Sequence, residues 1–570
     1  MSLKMASNVR KDPWVEWAVA EHGSDIVAVL RAVQAERGYL SANAIGTVAD
    51  ILKIPHERAF GIASFYSMLS TQPRTSKVVR VCDSPACQVK GEADVCSALK
   101  AAAGVQCTVE QSSCLGLCDR APAALVGEHA CGPLTPERAN DALNGWCGDH
   151  PTYGTPMPGE VRVTMARIGK IDPDSIDSAV KAGAYQALNA ALSGPSSQVI
   201  DVVERAGLQG RGGAGFPVGR KWALVAQTAS DQKYVVCNFD ESEPGTFKDR
   251  VIAESDPHLL LEGMALGAYA VGANQGYIYV RGEYEWISQR LERAIEQAQN
   301  RGWLGANIQG STFSFHLHVH RGAGAYICGE ESALLESLEG RRGEPRVRPP
   351  YPTTHGYFGT PTVVNNVESF CTVPPLLQRG AEWYRSMGTS NSPGVKVFTV
   401  CGHVNRPSAF EVPFGISLRQ IIDQFGGGMR AGAPFKMALT GGAAGTIVPT
   451  AMLDLPIDTV SWRHGLGLGS GAMLILDTSV SAVDLLLGLL RFFEFESCGK
   501  CTPCREGTRE ARILVERIAG GKGRAADIAE LNRLAKMLHM ASFCGLGQSV
   551  AMPIESALEH FGCEFASAHD

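Results

Sequence analysis

From residue 12 to residue 70 apolar side chains recur every three or four positions, as in Asp25-Ile-Val-Ala-Val-Leu-Arg-Ala-Val33 and Ala44-Ile-Gly-Thr-Val-Ala-Asp-Ile-Leu52. That period places them on one face of successive helices. From 76 to 147 short apolar runs, Lys77-Val-Val-Arg-Val81 and Val105-Gln-Cys-Thr-Val-Glu-Gln-Ser112, alternate with helical stretches. A polar stretch rich in Pro and Gly, His150-Pro-Thr-Tyr-Gly-Thr-Pro-Met-Pro-Gly159, reads as a linker. Beyond it strands such as Lys233-Tyr-Val-Val-Cys-Asn238 and Gln275-Gly-Tyr-Ile-Tyr-Val-Arg281 alternate with helices such as Glu285 to Gln299, an α/β pattern. Residues 395 to 475 give short strands, Gly-rich turns and one helix, Ser417 to Phe425: a small α+β module. The rest, from 479, is mostly helical. No short-period repeat is visible.

The length of 570 residues accommodates several domains. The pattern divides them at 1–75, 76–150, 151–160 (linker), 161–392, 393–476 and 477–570. A net charge of −6 offers no basic face for nucleic acid or an acidic membrane surface. No apolar run reaches the roughly 18 residues of a membrane helix. The longest candidate, Ala482 to Phe495, is broken by Asp484 and Arg491. No charged-then-apolar leader opens the sequence. With 17 cysteines, that favours reduced thiols and metal in a cytoplasmic protein over a disulfide scaffold.

Two thiol sets carry candidate chemistry. Cys498, Cys501 and Cys504 lie two residues apart in Ser-Cys-Gly-Lys-Cys-Thr-Pro-Cys-Arg, and Cys544 follows in Ser-Phe-Cys-Gly. Three thiolates on a tight loop plus a remote fourth suit a [4Fe–4S] cluster; zinc, which favours two pairs, is the alternative. Cys82 and Cys87, then Cys114 and Cys118, stand on loops after apolar runs. Their gaps of four and three residues are looser than a zinc knuckle, which favours a [2Fe–2S] cluster over structural zinc. The nine other cysteines read as small buried hydrophobes.

Gly210-Arg-Gly-Gly-Ala-Gly-Phe-Pro-Val-Gly-Arg-Lys-Trp222 contains Gly-x-Gly-x-x-Gly, but a helix, Gln198 to Ala206, precedes it. A Rossmann fingerprint needs a strand there. Glycines still let backbone N–H groups approach a phosphate. Cys237-Asn-Phe-Asp-Glu-Ser-Glu-Pro-Gly-Thr246 follows a strand, where α/β sheets bind ligands, so Asn238, Asp240, Glu241 and Glu243 would line a crevice. Gly322-Ala-Gly-Ala-Tyr-Ile-Cys-Gly-Glu-Glu331 is a second glycine loop, opening a helix from Ser332 to Leu338, with Arg341, Arg342, Arg346 and Arg348 beyond it. Two such loops with cations suggest two phosphate-bearing ligands. His316, His318 and His320 share one strand face and read as polar surface. No Gly-x-Ser-x-Gly or His-Glu-x-x-His is present, which leaves no hydrolase signature.

Together these motifs resemble the NADH-binding flavoprotein subunit of complex I and the diaphorase subunits of NAD-reducing hydrogenases and NAD-dependent formate dehydrogenases. Residues 1–150 resemble the small [2Fe–2S] subunit of complex I, a helical segment plus a thioredoxin-like domain. A chain that fuses the two is most similar to diaphorase subunits. The resemblance implies a Rossmann-like FMN domain, a ubiquitin-like module and a C-terminal helical bundle. It implies FMN held by Gly210, Gly212, Lys221, Asn238, Asp240, Gly329, Glu330, Asn365 and Asn366. It places Phe216, Glu243, Tyr326 and Glu331 toward NAD(H). Arg348 stands where the family often has Lys, and Tyr351 where it often has Phe. It further implies hydride exchange between nicotinamide and flavin and single-electron exchange with the clusters. The sequence shows no molybdopterin or nickel ligand set. A partner carrying molybdenum or tungsten pterin (or nickel–iron) and further clusters is therefore expected, with formate the leading substrate and hydrogen, or a complex I-type role, the alternative. A zinc-binding scaffold without activity is the contrasting reading.

Overall fold

A computed structural model describes residues 12–75, 77–105 and 107–566. The N-terminal helices are Pro13–His22, Ile26–Arg37, Ala42–Leu52 and His56–Ala63. Each of the first three starts on a side-chain cap: Asp12, Asp25 and Ser41 accept N–H groups of the first turn. Their apolar face, with Val27, Leu30, Val33, Val48 and Ile62, forms one core with Tyr279, Leu334, Leu335, Leu338 and Val364 of the α/β domain. The helices are thus built into the larger domain. Polar contacts reinforce the seam: the Tyr66 hydroxyl donates to Ser337 at 2.7 Å, and His320 Nδ1 lies 3.0 Å from Asp25 Oδ2. The histidine stripe is accordingly a polar strand face, with His320 turned against the N-terminal helices.

Residues 78–131 form a four-stranded sheet in the order Thr108–Ser112, Val78–Cys82, Ala124–Val126, His129–Cys131, parallel in the first pair and antiparallel in the others. Helix Glu92–Ala103 covers it. Past a short helix, Ala139–Leu143, the chain runs without regular structure through residue 163, where the buried Glu411 carboxylate accepts the N–H groups of Val163, Thr164 and Met165 at 2.7–2.9 Å.

The central sheet is wholly parallel, in the order His316–Arg321, Gln275–Val280, Tyr234–Phe239, Thr362–Asn366. Helices Pro257–Val271 and Val367–Arg379 pack together, and Phe370 presses so close to Gly263 that a Cβ there would lie 2.2 Å from its carbonyl oxygen. The carboxyl ends of all four strands face one side, where α/β sheets place ligands. The α+β module is a mixed five-stranded sheet in the order Ser408–Pro413, Val395–Gly402, Ala472–Asp477, Phe435–Thr440, Thr446–Pro449. Its expected helix starts at the Ser417 capping box, runs Leu418–Gln420, and widens to π geometry over Ile421–Phe425. Helices Ala482–Glu496, Thr502–Ala519, Ala525–Ala541 and Ala551–Ala566 make the C-terminal bundle. Among the described residues no helix is long and apolar enough to cross a membrane.

Candidate functional site

The Gly210–Gly215 loop lies between helix Ser196–Ala206 and helix Val218–Gln227, and Gly213 and Gly215 adopt φ of +124° and +67°. A helix, not a strand, precedes it, as the sequence indicated. The loop walls a cavity of about 650 Å³ with Asn238, Asp240, Glu243, Tyr326, Gly329, Glu330 and Asn366, within the range of small-molecule sites. Asn238 Nδ2 donates to the Gly329 carbonyl at 2.7 Å, joining two of the expected motifs. The Tyr326 hydroxyl donates to Glu243, and the Ala444 N–H donates to the same carboxylate at 3.0 Å. Burial pushes the Glu243 carboxyl up to about 7, against the lowering pull of Tyr326 and the backbone of Ala444 and Ala443. Asp240 is held well above the carboxylate range by burial, the Arg281 cation opposing.

The cavity base carries cations to which the sequence reading gives no role. Lys248 Nζ sits 2.7 Å from Asp249, 2.9 Å from Glu368 and 3.2 Å from Asn366 Oδ1. Lys396, from the α+β module, approaches the same Glu368 at 3.2 Å. Burial lowers Lys396 to about 8, which Glu368 opposes and the neighbouring Lys248 and Arg211 cations reinforce. Lys248 and Lys396 therefore share two carboxylates, Asp249 and Glu368, while the nearby buried Arg211 guanidinium donates to the Tyr384 hydroxyl. The residues present fit FMN: glycines lie where backbone must approach a ligand, and the cationic base suits a phosphate. Asp240 Oδ2 is buried without a hydrogen-bond partner, and Glu330 Oε1 meets the Arg348 guanidinium at 3.4 Å.

Other expected residues fall outside this cavity. Lys221, Glu331 and Arg348 form an ion cluster, with Nζ 3.0 Å and Nη1 3.4 Å from Glu331, and Lys221 lies 5.9 Å over the Phe216 ring. Phe216 and Tyr351 are exposed. Asn365 Oδ1 accepts from buried Trp222 Nε1 at 2.8 Å. That bond pins helix Val218–Gln227 to the sheet and turns the amide away from the cavity.

Cys498, Cys501, Cys504 and Cys544 surround one small cavity with Pro345, Lys500 and Phe543. Cys501 caps helix Thr502–Ala519, Cys504 lies in its first turn, and Cys544 caps Gly545–Ser549. Burial pushes Cys504 up to about 12 and Cys544 up to about 11, the N–H groups of Leu546 and Gly547 opposing the latter. Such thiols give up their protons only to a cation that replaces them. Ile327 and Leu546 line both this cavity and the large one. A wall one side chain thick separates the two.

Cys82, Cys87, Cys114 and Cys118 are all buried. Cys114 and Cys118 sulfurs lie 3.6 Å apart, and the neighbouring Cys114 and Cys87 thiols, with burial, push the Cys82 thiol well up. This thiol nest rests on the α/β domain. The Gly116 N–H points at Cys114 Sγ at 3.4 Å, and a Cβ on Gly116 would lie 1.8 Å from the Tyr284 hydroxyl. Arg281 donates to the Cys114 carbonyl, and Arg250 donates to the Gly116 carbonyl at 3.1 Å while pairing with Asp119 at 2.7 Å. Glu496, two residues before Cys498, takes the Tyr326 N–H at 2.9 Å and contacts Ser113. It touches all three loop systems.

Four family models match: a Nuo51 FMN-binding domain at residues 203–375, a thioredoxin-like [2Fe-2S] ferredoxin at 15–146, the NADH-ubiquinone oxidoreductase-F iron-sulfur binding region at 484–568, and an SLBB domain at 397–447. The NADH-quinone oxidoreductase F 2 polypeptide of Rhizobium meliloti is 45% identical over 387 residues, 68% of this chain and 92% of that one. The HndC polypeptide of the NADP-reducing hydrogenase of Solidesulfovibrio fructosivorans is 43% identical over 412 residues, 72% of this chain and 84% of that one. A crystal structure of NAD+-reducing [NiFe]-hydrogenase in the H2-reduced state superposes with a TM-score of 0.84 at 31% identity, covering 96% of this chain and 93% of the other. The chain belongs to the NADH-quinone oxidoreductase F family of NAD-dependent flavin and iron–sulfur oxidoreductase subunits, with a thioredoxin-like [2Fe–2S] domain in the same polypeptide.

Proposed function

We propose that the 650 Å³ cavity seats FMN with the nicotinamide end of NAD(H), and that this chain is the NAD-side subunit of a multisubunit, metal-dependent formate dehydrogenase. One observation carries the reading: a glycine-walled, cation-based cavity shares Ile327 and Leu546 with a four-thiol nest. When bound, FMN supplies exchange of a hydride with NAD(H) and of single electrons with iron–sulfur clusters. The chain's residues do the holding. Gly210, Gly212 and Gly329 admit the ligand close to backbone. Arg211, Lys248 and Lys396 balance a phosphate. Asn238, Asp240, Glu330 and Asn366 take the polar edges, and Asn365 supports them through Trp222. Tyr326 and Glu243 face the nicotinamide, while Phe216, Lys221, Glu331 and Arg348 form a rim cluster for the rest of the dinucleotide. Cys498, Cys501, Cys504 and Cys544 hold [4Fe–4S], and Cys82, Cys87, Cys114 and Cys118 hold [2Fe–2S]. No side chain serves as nucleophile or general base.

The terminal chemistry falls to a partner subunit with a molybdenum or tungsten pterin, since this sequence has no ligand set for one. Hydrogen as terminal substrate is a second reading, supported by the likeness to the NAD+-reducing [NiFe]-hydrogenase across 96% of the chain. Purification with bound partners, a visible spectrum and metal analysis test both. Flavin and cluster bands with molybdenum or tungsten support formate, and nickel supports hydrogen. A colourless zinc protein overturns the diaphorase reading.

A further inference from the structure

Two cysteines outside both cluster nests meet at the far end of the thioredoxin-like sheet. Cys131 ends strand His129–Cys131 and is buried; Cys147 lies sixteen positions on, half-buried, after helix Ala139–Leu143. The backbone fixes their approach. The Gly132 N–H donates to the Cys147 carbonyl at 3.1 Å. Gly148 packs so tightly that a Cβ on it would lie 2.3 Å from the Gly132 carbonyl oxygen. Both cysteines belong to the hydrophobic cluster under helix Glu92–Ala103. Each thiol donates to a local carbonyl, His129 O and Gly145 O, at 3.6 Å, and Cys147 lies near enough to raise the Cys131 thiol.

We propose that Cys131 and Cys147 form a reversible disulfide, a redox modification site separate from the cluster ligands. The oxidant is a low-molecular-weight disulfide such as oxidised glutathione. The more accessible Cys147, as thiolate, attacks one sulfur of that disulfide and releases one small thiol. Cys131 sulfur then displaces the second small thiolate, which leaves with the Cys131 proton. Two protein thiols are oxidised and one disulfide is reduced to two thiols. Burial and the adjacent Cys147 push the Cys131 thiol up to about 12, so the second, intramolecular step is the slow one, helped by the proximity of the two chain segments.

The bond would fasten the tether that leaves this domain. Three and six residues past Cys147, His150 Nδ1 lies 2.7 Å from Arg120 Nη1 and the Tyr153 hydroxyl donates to Asp119 at 2.8 Å, immediately beyond Cys118. Oxidation therefore clamps the irregular segment that buttresses one [2Fe–2S] ligand loop.

The test uses the full chain with its cofactors. The native protein is equilibrated with oxidised glutathione, alkylated under denaturing conditions and digested with trypsin. Cleavage after Arg120, Arg138 and Arg162 places the two cysteines alone on peptides 121–138 and 139–162. The expected result is loss of both alkylated peptides, recovery of one linked species, and return of both on treatment with a dithiol. In Cys131→Ser, Cys147 should be trapped as the glutathione mixed disulfide, with flavin and cluster absorbance unchanged. Full alkylation of both cysteines in the wild type, or linkage of Cys147 to Cys107, overturns the proposal.

Discussion

Arg250 offers the sharpest test of how the [2Fe–2S] domain is held. Its guanidinium and the Asp119 carboxylate are almost wholly buried and 2.7 Å apart, and Asp119 follows Cys118 directly. Burial pushes Asp119 up, but Arg250 and Arg120 outweigh it and hold the carboxyl below the usual range. Arg250→Met removes the main partner and also the 3.1 Å bond to the Gly116 carbonyl. Stranding a buried charge costs about 3–5 kcal/mol, and each 1.4 kcal/mol is about tenfold in an equilibrium constant. The undocked fraction should therefore rise at least about a hundredfold. Bleaching of the [2Fe–2S] band by an iron chelator reads that fraction when reclosing outruns chelation. Arg250→Met should bleach faster by that factor, with flavin retained. Arg250→Met/Asp119→Asn should recover most of the loss, because Tyr153 can still donate to the amide oxygen. A single variant that bleaches at the parental rate, or a double variant no slower than the single, would refute the argument.

Glu331→Gln should raise activity with NADPH relative to NADH by about tenfold or more, because a carboxylate repels a 2′-phosphate and its loss frees Lys221 and Arg348 to meet one; unchanged selectivity sinks the idea. Glu243 holds its proton up to about 7 when folded and to 4.5 otherwise, so its contribution is complete below 4.5 and is lost as pH rises through about 7. Affinity for the anionic dinucleotide should fall over the same rise, and a titration of Glu243→Gln should be flat there. Cys501→Ser should lose about four irons per chain and pass no electrons beyond the flavin, while NADH still bleaches it; transfer at the parental rate would show the ligand set to be wrong. Cys118→Ser in the full chain should lose about two irons and keep its flavin, and unchanged iron content would count against the [2Fe–2S] assignment.

The motifs legible in sequence were those written in short spacings. The Cys498–Cys504 triple, each cysteine pair of the first set, both glycine loops and the acidic strand end are local in sequence, although Phe216, Lys221 and Glu331 from those loops stand outside the large cavity. What escaped was assembled from distance. Lys396 enters the cavity base from the α+β module with nothing beside it to mark it, and Lys248, two positions past the acidic strand-end motif, is given no role in the sequence reading. Glu411 looks like one more strand residue until the chain from Val163 folds onto it. Asn365 sits beside Asn366 in sequence, yet strand alternation turns it away, to Trp222. Periodicity found the N-terminal helices but not what they cover, since an amphipathic face does not name its partner.

That shared core sets a schedule during synthesis. Tyr66 closes its hydrogen bond with Ser337, 271 positions later. At ribosomal rates of about 5–20 residues per second, the first helices wait about 15–50 s for the surface that covers them. Until then Val27, Leu30 and Val33 lack the α/β-domain part of the core they share with Leu334, Leu335 and Leu338. The four thiols at 82–118 are also made before Arg250 and Arg281 exist to shelter their loop. Cluster insertion into the thioredoxin-like domain and concealment of its neighbouring helices are thus two events in time, and a chaperone or scaffold able to bridge that interval would decide the yield of complete enzyme.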